Sequence, residues 1–570
     1  MSEEKKLGSE IFCEALAAEG VEVIFGIPGG VVLPLYDQIN KFGHKMKHIL
    51  PRNEQGGGFA ADGYARVTGR TGVAIGTSGP GATNLLTAIT NSMMDSIPVV
   101  YITGQVTEEL MGTDAFQETD ILGMTMPVVK HSYFVSHAKD IVQTVKEAFY
   151  IANSGRPGPV HIDFAKDAWV TKAHYLPATA IDLPGYNPLP DECPEEEILK
   201  LEDLLHESER PMVIAGHGVE LANAREQLVE FAEKHNIPIA NTLLGLSTFP
   251  QDHELWAGMI GMHGDAVTNC IAHNADLIIS IGSRFDDRIT GNLEAFQKDT
   301  KFVHIDIDVS EFHKNFPVDL ALPGDAKEIL MRANTLLKGN EYPSWWKQID
   351  EWKSQYGFLD FTVNPINDES FLSQPRIVDM ISKASDGEAI VAADVGRNQM
   401  WTGRFYRFKK PNSHLSSGGL GSMGYGLPAA MGAKFGQPDR EVWAIVGDGG
   451  FQMNIQELGT IAESKLDLNI AIMEDSHLGM VRQWQNLLFK GNISHSVLKN
   501  PDFVKVAEAY GIKGWRAKTY EEAEQAIAEA RAHKGPTLIS FHVDPDEHVF
   551  PMVPPNTPLG DQSLKAEDLL

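Results

Sequence analysis

Short apolar runs rich in β-branched residues alternate with helical periodicities along the whole 570-residue chain. The clearest are Val21–Phe25, Thr71–Ile75, Val99–Ile102, Met212–Ile214, Leu277–Ile281, Ala389–Ala392, Val442–Val446, Leu468–Met473 and Thr537–Phe541, several followed closely by glycine. A buried strand, a glycine turn and a helix form the repeating unit of parallel sheets. The expected fold class is α/β, with three doubly wound parallel-sheet domains. Proline-rich Leu176–Pro194 and strand-poor Leu337–Gln374 divide the chain into units of about 1–180, 195–335 and 375–550. The tail, 551–570, is expected to run over the surface.

Charge excludes some functions. Lys and Arg number 48 against 77 Asp and Glu, a net charge of −29. A nucleic-acid grip needs a basic face, so none is expected. No apolar run is long enough to span a bilayer, and no apolar segment follows Met1–Lys6, so a cytoplasmic protein without a membrane partner is expected. Cys13, Cys193 and Cys270 are far apart and read as reduced, buried residues. Glycine is abundant at 52 residues, and its clusters mark the candidate sites.

The sharpest cluster lies in EVWAIVGDGGFQMNIQE (Glu441–Glu457), where an apolar strand ends in Gly447-Asp448-Gly449-Gly450 and a helix follows. Glycines admit close backbone approach, the helix start favours phosphate, and a strand-end acid suits a hard cation. A second strand, Leu468–Met473, ends in Glu474-Asp475, and two acids at adjacent strand ends can share one octahedral metal. PRNEQGGGFAADGYAR (Pro51–Arg66) places Glu54 at a helix start, either as a dipole partner or as a proton donor and acceptor. FGIPGG (Phe25–Gly30) and SSGGLGSMGYGLP (Ser416–Pro428) read as a turn and as a packed cradle around Met423. Gly216-His217-Gly218 is a weak dinucleotide signal by itself.

Together these segments resemble the thiamine-diphosphate-dependent decarboxylase family. More narrowly they resemble its acetohydroxyacid (acetolactate) synthase branch, through TSGPGATNL (Thr77–Leu85), GTDAFQETDI (Gly112–Ile121), KHSYFV (Lys130–Val135), GRPGPVHIDFAKD (Gly155–Asp167), SRFDDRITG (Ser283–Gly291) and LGMVRQWQ (Leu478–Gln485). The resemblance implies an N-terminal pyrimidine-binding domain, a central flavin-associated domain and a C-terminal diphosphate domain. It implies thiamine diphosphate and Mg²⁺, with FAD in a structural role. It also implies a homodimer or homotetramer acting on 2-oxo acids, with room for a separate regulatory subunit. The implied reaction decarboxylates pyruvate and joins the remainder to a second 2-oxo acid, giving 2-acetolactate or 2-aceto-2-hydroxybutyrate for branched-chain amino-acid synthesis. The alternatives are a thiamine-dependent carboligase for another 2-oxo acid, a weakly active or non-catalytic paralogue, and a flavin oxidoreductase.

Carried over residue by residue, Glu54 activates the cofactor's aminopyrimidine, Met423 imposes its bent shape and the Gly421 carbonyl takes its amino group. Gly29 is a further catalytic-site position, Phe116, Gln117 and Lys166 border the substrate channel, Met480 and Val481 lie near the cofactor, and Trp484 fills the acceptor pocket. Gly396, Arg397, Asn398, Gly447, Asp448, Gly449, Gly450, Met453, Leu478 and Gly479 match diphosphate-side positions, and Asp448, Asp475 and the carbonyl of His477 match metal ligands. Arg156, Gly216, Gly218, Thr242, Leu243, His263, Gly282, Ser283, Arg284, Asp286, Arg288, Asp306 and Asp325 match flavin contacts. The chain departs from the family where Glu474-Asp475 replaces paired asparagines, Arg397-Asn398 replaces Gln-His, and Asn53 replaces a histidine. Arg397 is expected to offset the extra acid at 475 by pairing with phosphate.

Overall fold

The computed structural model describes residues 5–178, 180–358, 370–565 and 568. Among them are three six-stranded sheets, each wholly parallel, and one short antiparallel pair, Lys6–Leu7 with Lys172–Ala173. In the first sheet the spatial order is Lys47–Ile49, Val23–Gly26, Gly72–Gly76, Val99–Gln105, Val160–Ala165, His131–Val135. In the third it is His414–Ser416, Ile390–Ala393, Val442–Gly447, Asn469–Glu474, Thr537–His542, Lys513–Ala517. Both start at an inner strand, step to one edge, then cross to the other side. The middle sheet runs Trp256–Met259, Ile239–Asn241, Pro211–Ala215, Leu277–Ile281, Lys301–Asp306, Leu320–Pro323, the strand order of dinucleotide-binding folds.

Ligand crevices in such sheets open at the carboxyl ends of the strands where the order reverses. The chain puts glycine there in all three. Gly29 follows Val23–Gly26, Gly216 and Gly282 follow Pro211–Ala215 and Leu277–Ile281, and Gly396 and Gly447 flank the crevice of the third sheet.

The first and third domains share one apolar core. It joins Phe25, Phe59, Tyr64 and Leu85 to Tyr425, Leu427, Val446 and Phe451. At its centre the Glu54–Thr68 helix crosses the Gly426–Gly436 helix at backbone distance. A Cβ on Gly432 would lie 1.8 Å from the Ala60 carbonyl oxygen, and one on Gly63 would lie 2.3 Å from that of Ala429. Small residues at both faces are therefore a steric requirement. Glu457, fully buried, accepts the Arg52 and Asn53 N–H groups at 3.0 and 3.1 Å and fixes the entry to the first of these helices.

The middle domain has a separate core that also takes in Cys193, Trp345 and Ile349. The Pro343–Tyr356 helix, read from sequence as lying between units, thus packs on the second domain, beyond residue 335. The tail departs from its expected surface course. Met552, Val553 and Leu559 are buried, and the Val553 N–H reaches the Met262 carbonyl at 2.8 Å. Its prolines end helices, but its apolar residues still have a core to enter. The three cysteines are free and buried, as read from sequence. No helix among the described residues is long and apolar enough to cross a membrane.

Two measurements check these junctions. Gly432→Ala overpacks the helix crossing and should lower unfolding stability by about 2–3 kcal/mol in a urea titration. Burial pushes the Glu457 carboxyl up to about 7, so the folded state holds a proton that the unfolded chain has released. Its stabilising contribution is full below the ordinary carboxylate range and is lost as pH rises through about 7. Glu457→Gln should remove about 3 kcal/mol from the stability difference between acidic and mildly alkaline pH.

Candidate functional site

The third-domain half of the site is built on the crevice of its sheet. The Val442–Gly447 strand passes directly into the Asp448–Met453 helix. Asp448 is 1 % exposed, and its Oδ2 accepts the Ser476 N–H at 2.6 Å and the Asn500 amide at 2.7 Å. Its Oδ1 is buried without a partner. Burial, then the nearby charge of Asp475, raises its carboxyl to about 7. A buried carboxylate oxygen with no donor, beside a second acid, is what a hard cation would satisfy.

Asp475 lies at the end of the neighbouring strand and accepts the His477 N–H at 2.7 Å. Its other oxygen takes a hydrogen bond from Arg397. Glu474 turns instead to the Ser540 hydroxyl. His477 pairs antiparallel with Val497, and the bonds of that pairing run through Ser476 and Leu478. The backbone carbonyl of His477 is thereby turned away from the 496–498 segment, toward the Asp475 side.

Arg397 meets the extra acid at 475 directly. It ion-pairs with Asp475, both side chains buried, and donates to the carbonyls of Pro545 at 2.9 Å and Glu547 at 3.0 Å. The extra acid is offset by a direct ion pair. A Cβ on Gly479 would lie 2.6 Å from Arg397 Nε, so that glycine makes room for the guanidinium. Asn398 donates to the carbonyls of Asp394 at 2.7 Å and Ile445 at 3.2 Å, stitching the two strand ends across the crevice. Met423 and Leu478 pack over Gly449, where a Cβ would meet them at 3.6 and 2.7 Å. Gly450 abuts the Asp394 carboxylate, while Met453 and Val481 are exposed at the rim.

Sequence reasoning missed three residues here. Asp394, fully buried, accepts the N–H groups of Gly424 and Gly426 and so fixes the turn after Met423. Asn500 is the second partner of Asp448, and Asn454 holds the Gly424 carbonyl at 2.7 Å. Asp394 ends the Ala389–Ala392 run, so the strand-end-acid argument used for Asp448 could have found it. The two asparagines carry no local signal.

A cavity of about 1390 Å³ opens beside this half. Of the predicted flavin residues, Arg156, Gly218, Thr242, Leu243, His263, Gly282, Ser283, Arg284, Asp286, Arg288, Asp306 and Asp325 line it. Gly216 lies just behind, where a Cβ would strike the Gly282 carbonyl at 2.2 Å. Gly396, Gly421, Met480 and Trp484 line the same cavity, so the two crevices are continuous. His263 Nε2 and Ser283 Oγ are buried without partners, and burial holds the His263 imidazole neutral, with its pKa lowered to about 3. The size and the polar lining fit a flavin dinucleotide.

The first-domain residues form a separate group. Asn53 caps the Glu54–Thr68 helix through its side chain, which suits asparagine at that position. Glu54 accepts from the Asn84 amide at 2.9 Å and lies beside Gly81. Gly29 packs on Thr77, and Gly79 on Gln117. Phe116 is 88 % exposed, which excludes core packing as its role, and Lys166 is exposed at a helix start. None of Gly29, Glu54, Phe116, Gln117 and Lys166 lines the cavity that holds Gly421 and Met480.

Family models match along the chain in this order: the thiamine pyrophosphate enzyme N-terminal TPP binding domain at residues 6–124, the central domain at 198–333 and the C-terminal TPP binding domain at 394–541. Three doubly wound domains with a strand-end glycine–acid crevice in the last define a thiamine diphosphate enzyme. The acetolactate synthase large subunit of Corynebacterium glutamicum is 45 % identical over 96 % of this chain and 89 % of its own length. The probable acetolactate synthase large subunit of Methanocaldococcus jannaschii is 44 % identical, covering 96 % and 93 %, and the large subunit of Haemophilus influenzae is 41 % identical, covering 96 % of each. The chain belongs to the acetolactate synthase large-subunit family.

The Arg397–Asp475 pair makes a sharp prediction for cofactor binding. Arg397→Gln and Asp475→Asn should each weaken Mg²⁺-dependent binding of thiamine diphosphate, measured by calorimetry, because each leaves a buried charge unpaired. The double variant should recover most of the loss. Additive effects would show that the two residues are uncoupled.

Proposed function

We propose that the protein converts two molecules of pyruvate to 2-acetolactate and CO₂, or pyruvate and 2-oxobutyrate to 2-aceto-2-hydroxybutyrate, in branched-chain amino-acid synthesis. The observation that carries the reading is the junction of the Asp448 crevice with the large cavity, reached together by Gly396, Gly421, Met480 and Trp484. Thiamine diphosphate, when bound, supplies the electron sink that makes loss of CO₂ from a 2-oxo acid feasible. Asp448, Asp475 and the His477 carbonyl would hold Mg²⁺, and Gly447, Gly449 and Gly450 admit the diphosphate to the start of the following helix. Met423, seated over Gly449, would support the bound cofactor. Glu54 would hydrogen-bond the aminopyrimidine ring nitrogen and share with it the proton that favours the imino form. Trp484, edge-on to His263 at 6.1 Å, bounds the acceptor side. FAD would occupy the central cavity in a structural role.

The separation of Glu54 from this cavity supports a site completed by a second copy of the chain, in a homodimer or a homotetramer. The exposed Phe116 and Lys166 would then border the channel from that second chain. The relatives' designation as large subunits supports a further, smaller regulatory subunit.

The test is turnover of pyruvate, with and without 2-oxobutyrate, with product identification. With thiamine diphosphate, Mg²⁺ and FAD, acetohydroxy acids and CO₂ should appear, and flavin absorbance should stay constant through turnover. Glu54→Gln should lower kcat by about 10²–10⁴-fold with cofactor affinity nearly unchanged. A different carboligation product, turnover coupled to flavin reduction, or no consumption of pyruvate would overturn the reading.

A further inference from the structure

Asp95 is the last residue of the Leu86–Asp95 helix. An acid there faces the negative end of the helix dipole, so its position needs another cause. Its side chain is fully buried and takes three donors from two other elements. Oδ1 accepts the Gly419 N–H at 2.7 Å. Oδ2 accepts the Gly418 N–H at 3.2 Å and Arg66 Nη2 at 2.7 Å. The Arg66 side chain is 4 % exposed and bridges on to Asp62, which also accepts the Tyr425 hydroxyl at 2.8 Å. A second tether runs in parallel: Ser417 donates to Asn91 at 2.6 Å and accepts the Ser422 N–H at 2.8 Å. The Asp95 carbonyl, in turn, lies 3.2 Å from His217 Nδ1, on the wall of the flavin-sized cavity.

Two of the three donors that Asp95 takes belong to one loop. Residues 417–421 line the cavity, and the chain then passes through Ser422 to Met423 over Gly449. A Cβ on Gly419 would lie 2.9 Å from Asp95 Oδ1 and from Met94, so the loop is pressed against the carboxylate.

We propose that Asp95 is a positioning residue that locks the Gly418–Met423 loop between the flavin cavity and the cofactor crevice, so that filling one site favours filling the other. This rests on the thiamine diphosphate and FAD reading above. The Arg66 side chain pairs with the carboxylate and orients it, and the carboxylate holds the loop. A flavin packed on residues 417–421 then orders the same backbone that presents Gly421 and Met423 to the aminopyrimidine side.

The experiment measures thiamine diphosphate affinity, with saturating Mg²⁺, in the presence and absence of FAD, on the full-length protein. In the wild type FAD should tighten thiamine diphosphate binding by on the order of tenfold. Asp95→Asn should weaken binding by about tenfold or more and bring the FAD effect close to one. Gly419→Ala displaces the loop while leaving the Arg66–Asp95 bridge intact, and should do the same, so the test survives if Asp95→Asn does not fold. Asp276→Asn removes a carboxylate that holds Ser208 and the Arg210 N–H far from the site, and should lower stability with the FAD effect retained. An unchanged FAD effect in folded Asp95→Asn or Gly419→Ala, or no effect in the wild type, overturns the proposal. A wild type that binds no thiamine diphosphate overturns the functional reading itself.

Discussion

The backbone-to-backbone crossing of Glu54–Thr68 and Gly426–Gly436 is the constraint on which the rest of the structure depends. Only glycine and alanine allow the two helices to approach so closely, and the approach fuses the first and third domains into one core. The crossing anchors an element of each candidate half-site. Glu54 stands at the start of one helix, and the Met423 loop leads into the other. Asp62 and Arg66 lie on the first helix and anchor Tyr425, at the entrance to the second.

Charge in this interior is handled by pairing. Arg66 sits between Asp62 and Asp95, and Arg397 takes Asp475 and a ring of backbone carbonyls. Burial makes an unpaired ion expensive, so a charged substitution at such a site is tolerable only with its partner. Arg397 and Asp475 meet this condition as a buried ion pair. Among the described residues, the one buried carboxylate oxygen without a hydrogen-bond partner is Asp448 Oδ1, which would suit a cation.

The fold was legible because its signal is local. A short apolar strand, a glycine and a helix can be read within about twenty residues, and all nine strands read this way are present. The glycine crevices followed from motifs of the same range, and the residues lining the large cavity followed from the family resemblance. What escaped was set by residues far apart in the chain. The aim of Arg397 depends on Asp475 and the 544–547 segment, the start of the Glu54 helix depends on Glu457, and the buried course of the tail depends on Met262. No local pattern announces such partners. The second domain's extra helix was misplaced for a related reason: tryptophan and lysine between prolines resemble a linker until Trp345 finds the core.

We propose that Glu54 and Asp448 serve one reaction from two chains. Mixing Glu54→Gln with Asp448→Asn after subunit exchange tests it most directly. Each variant alone should be nearly inactive, and the hybrids, with one intact site each, should restore about a quarter of wild-type acetolactate formation by statistical pairing. Hybrids shown to form, yet no more active than their parents, would contradict the claim.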